Sequence, residues 1–297
     1  MKITEKIFDY AFRIYRIIGR ELIAHSANPR PASDPYITGD GFRQMADYVY
    51  DSLDQTMDAR VVTEGQIIFV GDSLIEKFIS EVHPYIQKKY LLVTHNGDAK
   101  ITKELFSLVS DKIIHWYGIN IEHNDPRLTP IPLGIENKHY YVCGIPSVFN
   151  FVKNKKISKL DKIFYGFTVS TNPAERGPAL EIIKSHPNSE TMQSWRGFLP
   201  YLIALNKYKL VLSPPGSCEE GHRTWDTMYI GGVPIVKSSQ TTEYFKSVGV
   251  PLMIIQDWED LNRLDSQTIA QSYNEVISTS NPDTLTANYW KKKIQNK

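Results

Sequence analysis

Twice along the chain, short apolar runs that read as strands alternate with helical patterns, and a basic polar stretch separates the two series. Few folds accommodate such an alternation. Strands that regularly give way to helices form a mostly parallel sheet covered by those helices. In the first series, strands are expected at Gln66–Val70, Tyr90–Thr94 and Lys112–Trp116, with helices at Ser73–Ser80 and Thr102–Val109 and a further apolar run at Leu128–Leu133. In the second, strands are expected at Ile163–Phe167, Lys209–Ser213, Val233–Val236 and Pro251–Ile255. Helices are expected there at Pro178–Ser185, Phe198–Asn206 and Arg223–Ile230. The sequence therefore predicts an α/β protein of two Rossmann-like domains, residues 1–152 and 153–297, facing across a cleft. Lys153–Lys162 is the expected linker.

Before the first series, the three- and four-residue spacing of Ile7, Ala11, Tyr15, Ile18 and Leu22 predicts an amphipathic helix over residues 5–24. Lys6, Arg13 and Arg20 share another face, with Arg16 beside them. Such a helix either packs on the first domain with a solvated basic face or makes peripheral contact with an anionic membrane. Residues 26–39, with three prolines, read as loop, and Gly41–Leu53 reads as helix. Ser272–Ile277 and Leu285–Ile294 are expected as terminal helices that pack back on the first domain.

With 297 residues the chain is long enough for two domains and a large core without a disulfide or metal staple. The formal charge of +1 gives no case for a nucleic-acid partner. The two cysteines, Cys143 and Cys218, read as reduced thiols of a cytoplasmic protein. No signal peptide and no span of about 20 uncharged apolar residues is expected.

In open parallel sheets ligands sit outside the carboxyl ends of strands, so chemistry is sought in the loops that follow them. The segment Tyr208–Lys237 is the most informative. A strand ends at Ser213, the loop Pro214-Pro215-Gly216-Ser217 follows, and Glu219-Glu220-Gly221-His222 leads into a helix near Arg223. A helix start aims free N–H groups and partial positive charge at what lies above it. Arg223 adds a guanidinium that can grip phosphate in two places, and Asp226, one turn on, could accept from ribose hydroxyls. These parts suit a nucleoside diphosphate held without a divalent metal.

The same residues closely resemble the signature of the exostosin family of glycosyltransferases. Ser213, Pro214, Gly216, Glu220, His222, Arg223, Trp225, Asp226, Gly231, Pro234, Ile235 and Val236 carry the likeness. Pro215, Glu220 and Asp226 depart from it, standing where a basic residue, Asp and Glu are expected. The resemblance implies a GT-B fold and metal-independent, inverting transfer of a hexosyl or pentosyl group from a nucleotide-sugar donor to an acceptor hydroxyl. It places the donor on Thr168, Arg176, Ser213, Gly216, Glu220, His222, Arg223 and Asp226. No cofactor is expected. Thr242, Glu243 and Tyr244 are expected near the sugar end of the site.

An inverting transferase needs a base for the acceptor proton. Asp98, on a strand-end loop of the first domain, is the first choice, with Asp72, His95 and Glu136 open beside it. Two other readings compete. Gly71-Asp72-Ser73-Leu74 resembles the nucleophile block of a GDSL-type esterase, with Gly118-Ile119-Asn120 as an oxyanion-hole block, although the Asp-x-x-His pair needed to activate Ser73 is missing. A non-catalytic nucleotide-sugar-binding module is the third. The sequence carries no Asp-x-Asp, His-Glu-x-x-His or paired Cys-x-x-Cys metal motif, no P-loop and no dinucleotide fingerprint.

Overall fold

The computed structural model describes residues 3–109, 111–155, 157–192 and 197–296, leaving aside the side chains of 3–9 and 11–13. It contains two parallel five-stranded sheets. The first is built from β1 (Tyr48–Tyr50), β2 (Ile67–Gly71), β3 (Tyr90–His95), β4 (Ile113–Gly118) and β5 (Leu128–Pro130), in sequential order. The second is built from β6 (Leu160–Tyr165), β7 (Ser189–Thr191), β8 (Tyr208–Leu212), β9 (Val233–Lys237) and β10 (Met253–Ile255). Its order is β10-β9-β8-β6-β7, so the chain reverses direction across the sheet between β6 and β8. The fold class is α/β, with two Rossmann-like units facing across a cleft.

The central strands read as continuous apolar runs because both of their faces are buried. Along β2 and β3, Ile68, Val70, Tyr90 and Leu92 enter one apolar cluster with Phe78 and Trp116. Ile67, Phe69, Leu91 and Val93 point the other way, into a cluster that also takes Phe164, Val211, Trp225 and Val236 from the second half of the chain. The alternation of side chains on a strand explains the division. On the far face of the second sheet, Ile163, Leu210, Leu212, Val233 and Ile235 form a third cluster with Trp258 and Ile269. The two sheets thus share one apolar core in addition to their own outer cores.

Several expected elements change when tertiary contacts are included. Gly41–Leu53 is not one helix. A helix covers Gly39–Met45 and β1 follows. Asp47 takes the chain out of the helix by exchanging two hydrogen bonds with Ile67, N–H to carbonyl at 2.9 Å and Oδ2 from N–H at 2.7 Å. The helix expected at Pro178–Ser185 runs from Pro173 to Ile183, because Asn172 caps it through the Glu175 N–H. This moves Arg176 from a loop into the first helical turn. The expected linker is shorter, since a helix continues to Lys153 and β6 begins at Leu160. The helix expected from Ser73 starts at Ile75 after one 3-10 turn, Asp72–Leu74.

The last helix, Ala287–Gln295, lies against the N-terminal part of the chain. The Ala287 N–H donates to the Pro35 carbonyl at 2.9 Å, Lys291 pairs with Asp34 at 3.1 Å, and Trp290 and Ile294 are fully buried. Among the described residues no helix is long and apolar enough to cross a membrane.

Candidate functional site

The reversal between β6 and β8 is where an open parallel sheet leaves a crevice at its carboxyl edge. A cavity of about 270 Å³ lies there. The second sheet contributes Thr171 and Arg176, which follow β6, and Gly216–Cys218 and Glu220–His222, which follow β8. The first contributes His95 at the end of β3, Asn96–Asp98 just after it, and Leu133, Ile135, Asn137 and Tyr140, which follow β5. The cleft therefore runs between the two sheets at their strand ends.

Arg176 is 9% exposed and shapes the second-sheet wall. Its Nε donates to the Pro215 carbonyl at 2.8 Å and its Nη1 to the Thr168 carbonyl at 2.9 Å. Nη2 lies beside Gly216, where a Cβ would come within 2.8 Å of it. Asn172 Nδ2 donates to the Gly216 carbonyl at 3.0 Å and ties the two loops together. Thr168 itself is exposed and serves through its carbonyl.

The helix His222–Tyr229 begins at Gly221 with no side-chain cap. The Thr224 N–H is taken by the Gly221 carbonyl at 2.9 Å, which leaves the His222 and Arg223 N–H groups as the helix-start donors nearest the cleft that Gly221 and His222 line. His222 Nδ1 donates to the Gly134 carbonyl at 2.8 Å. That bond fixes the tautomer and leaves Nε2 as the acceptor nitrogen. The ring is accessible from the cleft, yet the protein packed around it lowers its pKa, against the opposing charges of Glu136 and Asp98.

Glu220 is the most constrained acid in the cleft wall. Its carboxylate accepts the Leu133 N–H from the first half of the chain and the Trp225 Nε1–H at 2.8 Å. Burial raises its pKa, opposed by the two N–H donors, which favour the anion. On the opposite wall, exposed Asp98 accepts the Cys218 thiol at 3.2 Å. Cys218 in turn receives Asn120 Nδ2 at 3.2 Å, and burial raises that thiol to about 12.

Of the other residues singled out from the sequence, three stand behind the cleft wall. Ser213 is buried and paired with Thr224 through their hydroxyls at 2.8 Å. Arg223 donates to the Gly166 carbonyl, shares a hydrogen bond with Tyr201 and faces Phe167 at 5.8 Å, while Arg176 faces the same ring at 6.0 Å. Asp226 is 5% exposed, and burial holds its pKa well above the usual carboxylate range despite neighbouring Arg223. Neither Arg223 nor Asp226 lines the cleft.

The alternative bases are placed differently. His95 lines the cleft, but its Nδ1 accepts the Asn96 N–H at 2.7 Å and its Nε2 meets the Pro132 carbonyl at 3.1 Å. Burial lowers its pKa to about 4, so it stays neutral with both nitrogens engaged. Glu136 caps a turn by accepting the Cys143 and Gly144 N–H groups. Asp72 is buried with neither carboxyl oxygen hydrogen-bonded, and burial followed by repulsion from Asp98 raises its pKa to about 8. Ser73 is exposed outside the cleft, and among the described residues no hydrogen bond joins it to a histidine. Thr242 caps the start of the helix Gln240–Ser247 together with Ser239.

Sequence reasoning missed a polar cluster beside the cleft. Asp40, completely buried, accepts Arg30 Nε at 2.9 Å, Asn96 Nδ2 at 3.2 Å and His139 Nδ1 at 2.7 Å. Asn137 links Asn96 at 2.7 Å to the Asp40 N–H at 2.9 Å. Its members lie up to about a hundred residues apart, so no local spacing announces it. Among the described residues no group of three or more His, Cys, Asp or Glu is placed to hold a metal ion.

No protein-family profile and no curated protein matches the chain. Among solved structures, a Listeria monocytogenes protein named as a UDP-N-acetylglucosamine 2-epimerase is similar at 14% identity and TM-score 0.38, over 75% of this chain and 71% of that one. A spinosyn rhamnosyltransferase complexed with spinosyn aglycone is similar at 10% identity and TM-score 0.33, over 77% and 69%.

Proposed function

We propose that the protein is a glycosyltransferase of GT-B type. In this reading it moves a hexosyl or pentosyl group from a nucleotide-sugar donor to an acceptor hydroxyl, with inversion and without a metal. The observation that carries it is the convergence of Arg176 and the uncapped helix start at Gly221–His222 on one cleft wall, with Asp98 on the other. The first two offer a guanidinium and the N–H groups of His222 and Arg223 to a diphosphate. The exostosin-like order of residues in Tyr208–Lys237 supports the same assignment.

In the proposed step, the acceptor oxygen forms a bond to the anomeric carbon while its proton passes to Asp98. The bond from that carbon to the diphosphate oxygen breaks, and the nucleoside diphosphate leaves with the electron pair, its charge met by Arg176 and the helix start. A second choice of base is His222, favoured by the free lone pair at Nε2.

Gly216→Ala tests the donor site. Its methyl must push aside Arg176 Nη2 on a side chain that Nε and Nη1 anchor, so circular dichroism accompanies the measurement to show that the fold is kept. A thermal-shift screen of uridine, guanosine and thymidine diphosphate sugars should find one that stabilises the wild type. Calorimetry should then show roughly tenfold weaker binding to Gly216→Ala, about 1.4 kcal/mol. Unchanged binding would remove the donor from this cleft wall.

A further inference from the structure

The N-terminal helix Ile3–Ala24 is held to the body of the protein along one side only. Arg16 Nε donates to the Tyr141 carbonyl at 3.1 Å, the Tyr15 and Tyr141 rings lie 5.3 Å apart, and Gly19 sits directly on the Tyr141 ring. A Cβ at position 19 would come within 2.2 Å of that ring, so only glycine allows the approach. Tyr10, Ile14, Ile18 and Leu22 are exposed away from this seam, Leu22 at 69%, and Ile17, 63% exposed, borders the groove that Tyr140 and Tyr141 also line. At 100° per residue these five span an arc of about 140°, the width of a stripe that a helix ordinarily buries. Exposed Glu21 falls within this arc and interrupts it near Ile17, while the rest is apolar, and an exposed apolar face of this width marks an interaction surface.

We infer that this face docks on an anionic lipid bilayer, with the helix lying in the plane of the interface. Charge selects this occupant over a second copy of the chain. Residues 1–24 contain Lys2, Lys6, Arg13, Arg16 and Arg20 against Glu5, Asp9 and Glu21, an excess of two positive charges. That excess would repel an identical helix and attract anionic headgroups. Exposed Arg20 flanks the apolar arc, where a long cationic side chain can reach headgroups as the arc enters the acyl boundary. Tyr140 is 53% exposed and borders both the groove beside Arg16, Ile17 and Arg20 and the cleft between the sheets. Docking would therefore bring the cleft mouth close to the lipid surface.

Co-sedimentation of the full chain with vesicles tests the inference. The protein should pellet with equal parts phosphatidylglycerol and phosphatidylcholine, bind phosphatidylcholine alone several-fold less, and be released by salt. The triple variant Ile17→Ser/Ile18→Ser/Leu22→Ser should lose roughly tenfold or more of the partitioning while keeping its circular dichroism, since all three side chains are exposed. Arg20→Glu should weaken binding to the anionic vesicles only. Failure of the wild type to pellet with either vesicle overturns the proposal. So does a concentration-dependent dimer in sedimentation velocity that the triple variant abolishes, which would make a second copy the occupant.

Discussion

The Glu220 carboxylate joins the two halves of the chain by accepting the Leu133 backbone N–H, while its other oxygen holds the Trp225 indole. Leu133 follows β5 of the first sheet and Trp225 lies in the helix that starts at the cleft, so one side chain sets the spacing of the walls. Glu220→Gln replaces one acceptor oxygen by an amino group that must face an N–H donor. A buried donor left without a partner costs about 1–3 kcal/mol. Urea unfolding should show a loss of that size, and nucleotide-sugar binding should weaken with it. A variant of wild-type stability would mean that the bridge is dispensable.

Asp72 makes the protein's stability depend on pH. Its carboxyl is buried without a hydrogen bond and titrates at about 8, against 3.8 for a free aspartate. Between those values the folded chain keeps a proton that the unfolded chain releases, so stability falls as pH rises through the interval. Asp72→Asn removes this dependence at nearly constant shape. The variant should match the wild type near pH 4 and exceed it at pH 8 by as much as about 5 kcal/mol. Equal melting-temperature profiles from pH 4 to 8 would refute the assignment.

The legible parts of the fold were those where burial on both faces writes itself into sequence. Gln66–Val70 and Tyr90–Thr94 read directly as strands because nearly every side chain in them meets a core. The three-residue edge strands Tyr48–Tyr50 and Ser189–Thr191 did not, since their pairing partners rather than their own pattern make them strands. At the site, Asp98, Arg176, Gly216, Glu220 and His222 do line the cleft, because strand-end loops are where an open sheet exposes backbone and charge. Spacing along a helix could not reveal which side of Arg223 and Asp226 faces the cleft. Phe167, Tyr201 and Gly166, all distant in sequence, settle that.

Arg223 separates a supporting role from direct contact with donor. Its guanidinium packs over Phe167 behind Arg176, with Nε buried and without a partner. Arg223→Ala should lower stability by about 1–3 kcal/mol through the lost hydrogen bonds and packing. It should weaken donor binding through displacement of Phe167 and Arg176. Titration calorimetry with Arg223→Lys divides the two effects, since Lys keeps the charge but not the fork. Restored binding with Lys would support a charge acting through Arg176. Binding lost in both variants at wild-type stability would put Arg223 on the phosphate itself.

The esterase reading makes a clean contrast. Ser73 is exposed, lies outside the cleft and has no histidine bonded to it among the described residues. Ser73→Ala should therefore leave sugar transfer unchanged. Hydrolysis of p-nitrophenyl acetate above the buffer rate that vanishes in Ser73→Ala would instead place a nucleophile there.

Asp98 and His222 face the same cleft from opposite walls, and pH separates their roles. If Asp98 takes the acceptor proton, Asp98→Asn should lower kcat by about 10²–10⁴-fold with little change in donor affinity. His222→Gln would then alter donor affinity without abolishing turnover. If His222 is the base, kcat must fall on the acid side of its own titration, which burial moves below the ordinary histidine value. His222→Gln would then erase that acid limb while Asp98→Asn only shifts it, because the Asp98 charge favours protonation of His222. Kinetics of the two variants across pH 4 to 9, read as kcat and as kcat/KM for the acceptor, assign the proton to one wall or the other.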